Sequence, residues 1–179
     1  MAVRLKQWLA EFCAWHEQYR KGELPPDILP TYLEARLDLS MTLVLAQRLE
    51  IRTDGARRAV RMARAMQVEF LLRSGKITAL TQDISTSGLS ALVGEAPEVG
   101  TQITFRLKMG REVAPVVGQA RVVAALPFHG SVRMAVAFDE LAEGDRMRIE
   151  DLVFDAICAE MRTSCLRNNG QFLTPVPAS

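Results

Sequence analysis

The sequence predicts a mainly β protein with flanking helices, its strands forming an antiparallel barrel or sandwich. Three observations carry this expectation. Between Met66 and Phe138, apolar and polar residues alternate in several short runs. Glycine and proline turns separate those runs, and no helical stretch intervenes. The residues on either side follow helical spacing instead.

The first helix is read from Val3, Leu5, Trp8, Leu9, Phe12, Trp15, His16 and Tyr19, which form a broad apolar face. Gly22 and the Leu24-Pro25-Pro26-Asp27 stretch end it. A second helix begins near Pro30, where proline is tolerated in a first turn. It carries Tyr32, Leu33, Leu37, Met41, Val44, Leu45 and Leu49. From Met41 to Ala46 it is apolar on more than one side. Two helices cannot bury that much surface alone, so they are expected to dock on the rest of the chain or to dimerise.

Asp54-Gly55 breaks the helical pattern, and a basic cluster follows: Arg52, Arg57, Arg58, Arg61 and Arg64. From Met66 the period becomes two. Val68, Phe70 and Leu72 mark one strand, and Ser74-Gly75 a hairpin turn. Ile77, Ala79 and Thr81 mark a second strand, and Leu89, Ala91 and Val93 a third. Ile103, Phe105 and Leu107 make another, the valine-rich stretch Val113 to Leu126 the next, and Val132, Met134, Val136 and Phe138 the last. Gly144-Asp145 opens a closing helix with Ile149, Leu152, Val153, Ala156, Ile157 and Met161 on one face. The expected organisation is a helical extension over 1–54, a barrel with its closing helix over 55–166, and a flexible tail over 167–179.

Composition narrows the function. With 179 residues and a net charge of +1, the chain has no overall electrostatic footprint for nucleic acid. No apolar run approaches the ~18 residues of a membrane span, and the N-terminal stretch after Arg4 and Lys6, interrupted by charged and polar residues, is not expected to act as a secretory signal. Cys13, Cys158 and Cys165 have no metal-ligand spacing and suit a reducing compartment. The expected location is cytoplasmic. No Ser/His/Asp or Cys/His constellation, phosphate loop or dinucleotide motif occurs, so no catalytic or metal-binding residue is predicted. His16 is expected to pack, His129 to lie in a solvated turn, and Glu34, Asp38 and Glu140 to be surface charges.

Two motifs remain, Arg57-x-x-x-Arg61 and Asp83-x-Ser85-x-x-Gly88. Alone, the first reads as a solvated basic face and the second as a strand-to-strand turn. Together they suggest more. A guanidinium offers a planar fork to phosphates and stacks on purines. A carboxylate and a hydroxyl suit the donor edge of guanine, and a glycine permits close backbone approach. A hairpin between the motifs returns the chain to its starting level, so they can face one another.

This pair, with the strand around Arg121-Val122-Val123 and the Val132-to-Phe138 strand, resembles the PilZ domain over about Arg57 to Asp155. The resemblance implies a Greek-key β-barrel with a helix after it, and cyclic di-GMP as ligand, without any other cofactor. Arg57 and Arg61 would contact phosphates and guanine, with Arg58 as an added arginine. Asp83 and Ser85 would meet guanine donors, and Gly88 would permit the turn and the close approach. Binding would order the arginine loop, alter the helical extension and signal to a protein partner in motility, surface polysaccharide or development. The competing expectation is a PilZ-like adaptor that binds no nucleotide. Nucleic-acid binding is disfavoured, because no aromatic platform accompanies the basic cluster.

Overall fold

The computed structural model describes residues 2–50, 59–73 and 75–168, with side chains over 5–47, 59–73 and 75–163. The elements are α1 (Ala2–Lys21), α2 (Leu29–Glu50), β1 (Met62–Ala63), β2 (Gln67–Leu72), β3 (Gly75–Ser85), β4 (Gly88–Val93), β5 (Gln102–Leu107), β6 (Val116–Phe128), β7 (Ser131–Glu140) and α3 (Glu143–Asn168). They fall into two compact units, Met1–Leu39 with Phe154–Ser179, and Ser40–Val153.

The second unit holds an antiparallel barrel. Its strands run β3-β2-β5-β6-β7-β4, and β4 pairs back onto β3 to close the ring. Closure removes the exposed edges that an open sheet would present. Short β1 pairs outside the ring, with Met62 opposite Ile84 and Ala63 opposite Asp83. The alternation seen in the sequence becomes an inside and an outside. Val68, Phe70, Phe105, Leu107, Val122, Met134 and Val136 are fully buried. The rings of Phe105 and Phe138 stack at 4.7 Å. Ile149 is fully buried in the opening turns of α3, while Arg148 donates to the Ala114 carbonyl and pairs with Asp145 at 2.8 Å.

The turns explain several boundaries. β6 and β7 are joined by His129-Gly130, both at positive φ, as a two-residue primed turn requires. β6 therefore runs on through Pro127 to Phe128, two residues past Leu126. Pro127 lies beyond the part of β6 that pairs with β5, so its missing N–H breaks no ladder there. The same strand begins at Val116, and Val113 is exposed. Met66 is buried just ahead of β2 rather than within it. The closing helix starts at Glu143 and extends to Asn168. Asp54-Gly55, Ser74 and the tail from Asn169 lie outside the described residues.

In the first unit, aromatic rings meet around Phe12. Its ring lies 5.8 Å from that of Tyr32 and 5.9 Å from that of Phe154. His16 is buried among them, as expected of a packing residue, and both ring nitrogens also find partners. Nδ1 lies 2.7 Å from the Tyr32 hydroxyl and Nε2 2.9 Å from Asp155. Arg20 reaches Asp155 at 3.3 Å. Arg36 donates to the Tyr32 hydroxyl at 3.2 Å, with its guanidinium 4.5 Å from the centre of the Phe154 ring.

Candidate functional site

The site begins with a bulge in β3. Thr81 pairs with Ala91, but the next pair joins Asp83 to Ser90, so Gln82 is the extra residue. Before the bulge the odd-numbered residues Ala79 and Thr81 are buried; after it Ile84 is buried. One added residue thus flips the phase and sends Asp83 to the outer face. Thr81 stabilises the junction: its hydroxyl accepts from the Met66 N–H at 2.9 Å and donates to the Arg64 carbonyl.

Asp83 is the hub of the outer face. Oδ1 accepts from Arg61 at 3.0 Å, and Oδ2 accepts from Ser90 and from Arg133, each at 2.6 Å. A carboxylate has roughly four acceptor directions. Both on Oδ2 are used, and Oδ1 keeps one. The cluster therefore fixes the carboxylate while leaving it able to accept another N–H. Arg61 spends a single contact on Asp83, which leaves donors of its fork for an anion.

The backbone of Arg61 is itself held. Gln47, on α2, donates to the Arg61 carbonyl at 2.7 Å and accepts from the Arg61 N–H at 3.1 Å. This two-point amide clamp fixes the position at which the basic segment enters the barrel. Arg57 and Arg58 lie outside the described residues, as does Arg52. Among the described residues, the Arg61–Asp83 contact joins the two motifs.

Ser85 and Gly88 both have contacts within the chain. Ser85 is fully buried. Its hydroxyl donates to the Gly88 carbonyl at 3.0 Å and accepts from the Ser87 N–H at 3.3 Å. It ties the β3–β4 turn together. Gly88 does not have positive φ. A Cβ there would stand 2.2 Å from the Val136 carbonyl oxygen. The close approach that requires glycine is to the backbone of β7, and it is what lets β4 close the ring.

Sequence reasoning missed Ser90, Arg133 and Gln47. Ser90 stands opposite Asp83, and Arg133 lies diagonally from Ser90, two residues from its partner Ala135. The alternation of Val132, Arg133 and Met134 does place Arg133 outward; its neighbour on the next strand depends on register. Among the described residues, no group of His, Cys, Asp and Glu could hold a metal ion, and no helix is long and apolar enough to cross a membrane.

The profile of the PilZ domain matches residues 56–155, more than half of the chain. The chain belongs to the PilZ domain family. Solved structures agree on the fold. YcgR of Escherichia coli in complex with c-di-GMP matches with a TM-score of 0.53 and 16% identity, over 62% of this chain and 50% of that one. The separate PilZ domain of YcgR with c-di-GMP gives 0.51 and 14%, over 62% of this chain and 98% of that one. The Bacillus subtilis inhibitor of motility MotI/DgrA gives 0.51 and 18%, over 60% and 52%. This PilZ chain thus spans about half the length of MotI/DgrA and of full YcgR. A comparison with curated proteins finds no sequence match.

Proposed function

We propose that this PilZ protein is a non-enzymatic receptor for cyclic di-GMP that passes a conformational change to a protein partner. The observation that carries the reading is the Arg61–Asp83 contact on the outer face of the barrel. A fixed carboxylate with spare acceptor capacity suits the N–H edge of guanine. Beside it, a guanidinium with unused donors suits a phosphate or a purine face. Arg57 and Arg58 precede Arg61 on the same segment and would complete the clamp.

The Gln47 clamp supports the link to output. Ligand drawn to the arginine segment pulls on Arg61, and Arg61 is tied to α2 through two hydrogen bonds. A ligand that favours one position of that segment shifts the population of the helix carrying Gln47. Leu37, Met41 and Leu45 recur every four residues along α2 and are exposed. They supply an apolar face for a partner or for a second copy of the chain. Motility, surface polysaccharide and development are the settings proposed, and the cytoplasm the compartment.

Isothermal titration of the full chain with cyclic di-GMP tests the receptor reading. Binding in the micromolar range or tighter, lost at least about tenfold in Arg57→Ala, is expected; that factor is about 1.4 kcal/mol. Absence of heat at tens of micromolar would sink it. One observation favours the adaptor reading: Asp83 already satisfies two arginines and a serine without ligand. Under that reading the titration is flat and Arg57→Ala changes nothing. Light scattering of the full chain decides dimerisation, and a monomer refutes it.

A further inference from the structure

Within the first unit, α1 carries Cys13 and α3 carries Cys158, and the two thiols interact across the seam between these helices. Contacts on both sides define that seam. One turn before Cys158, Phe154 meets Phe12 at 5.9 Å. One turn after it, Arg162 reaches the Cys13 carbonyl at 3.4 Å and Glu17 at 2.9 Å. Both cysteines are buried, and both are free thiols.

Buried thiols in apolar surroundings are ordinarily inert. Two features set this pair apart. A cavity of 230 Å³ adjoins Cys13, lined also by Leu9, Ala10, Ala14, Met161 and Arg162. A small oxidant fits in that space. The thiols are also electrically unequal. The hydrogen bond from Cys158 and the charge of Arg162 lower the pKa of Cys13 against the opposing effect of burial. The same bond and burial raise that of Cys158. The cavity opens beside Cys13, and Arg162 reaches its backbone, so Cys13 is placed as the attacking, peroxidatic sulfur and Cys158 behind it as the resolving one.

We propose that Cys13 and Cys158 are a peroxide-sensitive dithiol that closes to a disulfide between α1 and α3. The Cys13 thiolate attacks one oxygen of hydrogen peroxide, and the O–O bond breaks. Hydroxide leaves and takes up a proton as water, and Cys13 becomes a sulfenic acid. The Cys158 sulfur then attacks the Cys13 sulfur and gives up its proton. An S–S bond forms, the S–O bond breaks, and a second water leaves. Two thiols and one peroxide yield one disulfide and two waters.

The test treats the full folded chain with a small excess of hydrogen peroxide and maps its peptides without reductant. The expected result is a loss of two hydrogens in intact mass and a cross-linked pair of peptides containing Cys13 and Cys158, separated again by dithiothreitol. Cys165→Ser should leave that product unchanged. In Cys158→Ser the resolving step is missing, so Cys13 should be trapped by dimedone as a sulfenic acid. If Cys158→Ser does not fold, the wild-type map decides alone. Both thiols remaining reduced under peroxide overturns the proposal. So does a disulfide that requires Cys165, or oxidation of Cys13 that proceeds to sulfinic acid with Cys158 untouched.

Discussion

In the helical unit, His16 bonds to both Tyr32 and Asp155 among the rings of Phe12 and Phe154, and is only 2% exposed. On the barrel, Asp83 gathers Arg61, Arg133 and Ser90, yet the side chains of those arginines are 29% and 47% exposed. Both clusters satisfy a carboxylate. The first is centred on a buried imidazole whose two nitrogens are both used, so it contributes to stability and offers little to a ligand, although Asp155 and Arg20 reach the surface. The second is centred on a carboxylate with an acceptor direction to spare, beside part-exposed guanidinium groups. Hydrogen bonding alone does not separate a structural cluster from a binding one; the capacity left at its centre does.

The largest expected effect tests the structural side. His16→Ala leaves Tyr32 and Asp155 without their shared partner, and should cost about 3 kcal/mol in urea unfolding. Cyclic di-GMP affinity should stay within about twofold in protein that remains folded, a change below ~0.5 kcal/mol. A parallel loss of affinity would erase the contrast. Asp83→Ala should do the reverse. Affinity should fall by about 2 kcal/mol, roughly thirtyfold, while unfolding changes by less than about 1 kcal/mol. Titration and denaturation of the same sample check both arms.

Arg133→Ala sharpens the barrel side. It removes one orienting contact to Asp83 but none of the motif residues, so affinity should fall by about 1 kcal/mol. Arg133→Lys should restore little, because a single ammonium cannot reach Asp83 and Ser90 as the guanidinium fork does. Full rescue by lysine would mean that charge alone matters there. The smallest effect is electrostatic. Burial would raise the Asp155 carboxyl pKa, but the His16 hydrogen bond and the charge of Arg20 outweigh it and hold it below its ordinary 3.8. A depressed carboxyl stabilises the fold at neutral pH and loses that contribution as pH falls from near 4 through its folded value. Asp155 is partly exposed, so screening limits the amount to about 1 kcal/mol. Asp155→Asn should flatten this acid limb in a pH series of thermal midpoints.

The strands were legible because alternation survives as burial: Val68 and Phe70, or Ile103, Phe105 and Leu107, are apolar every second residue and fully or almost fully buried. The site was half legible. Arg61 and Asp83 announced themselves through spacing. Ser90 and Arg133 did not, since Arg133 meets Ser90 across 43 residues and Asp83 across 50. Register between strands sets such contacts, and no local pattern encodes it. Ser85 and Gly88 were visible as residues, but their contacts within the chain were not. A serine beside a turn and a glycine beside a strand look alike whether they serve a ligand, the chain itself or both. The 2.2 Å approach to Val136 supplies a reason for the glycine that no local pattern shows.

The bulge at Gln82 lets the closed ring absorb a surplus residue. Gln82 and Asp83 both stand outside, between the buried Thr81 and Ile84, and Asp83 keeps its place opposite Ser90. Straightening β3 with Gln82 still in it would set Gln82 opposite Ser90, turn Asp83 toward the interior and push Ile84 into water. Deleting Gln82 would instead leave the pairing of Thr81, Asp83 and Ile84 as it is. The address of the carboxylate is therefore written in how the strand absorbs one residue, and a gap of one at Gln82 in an alignment leaves that address unchanged.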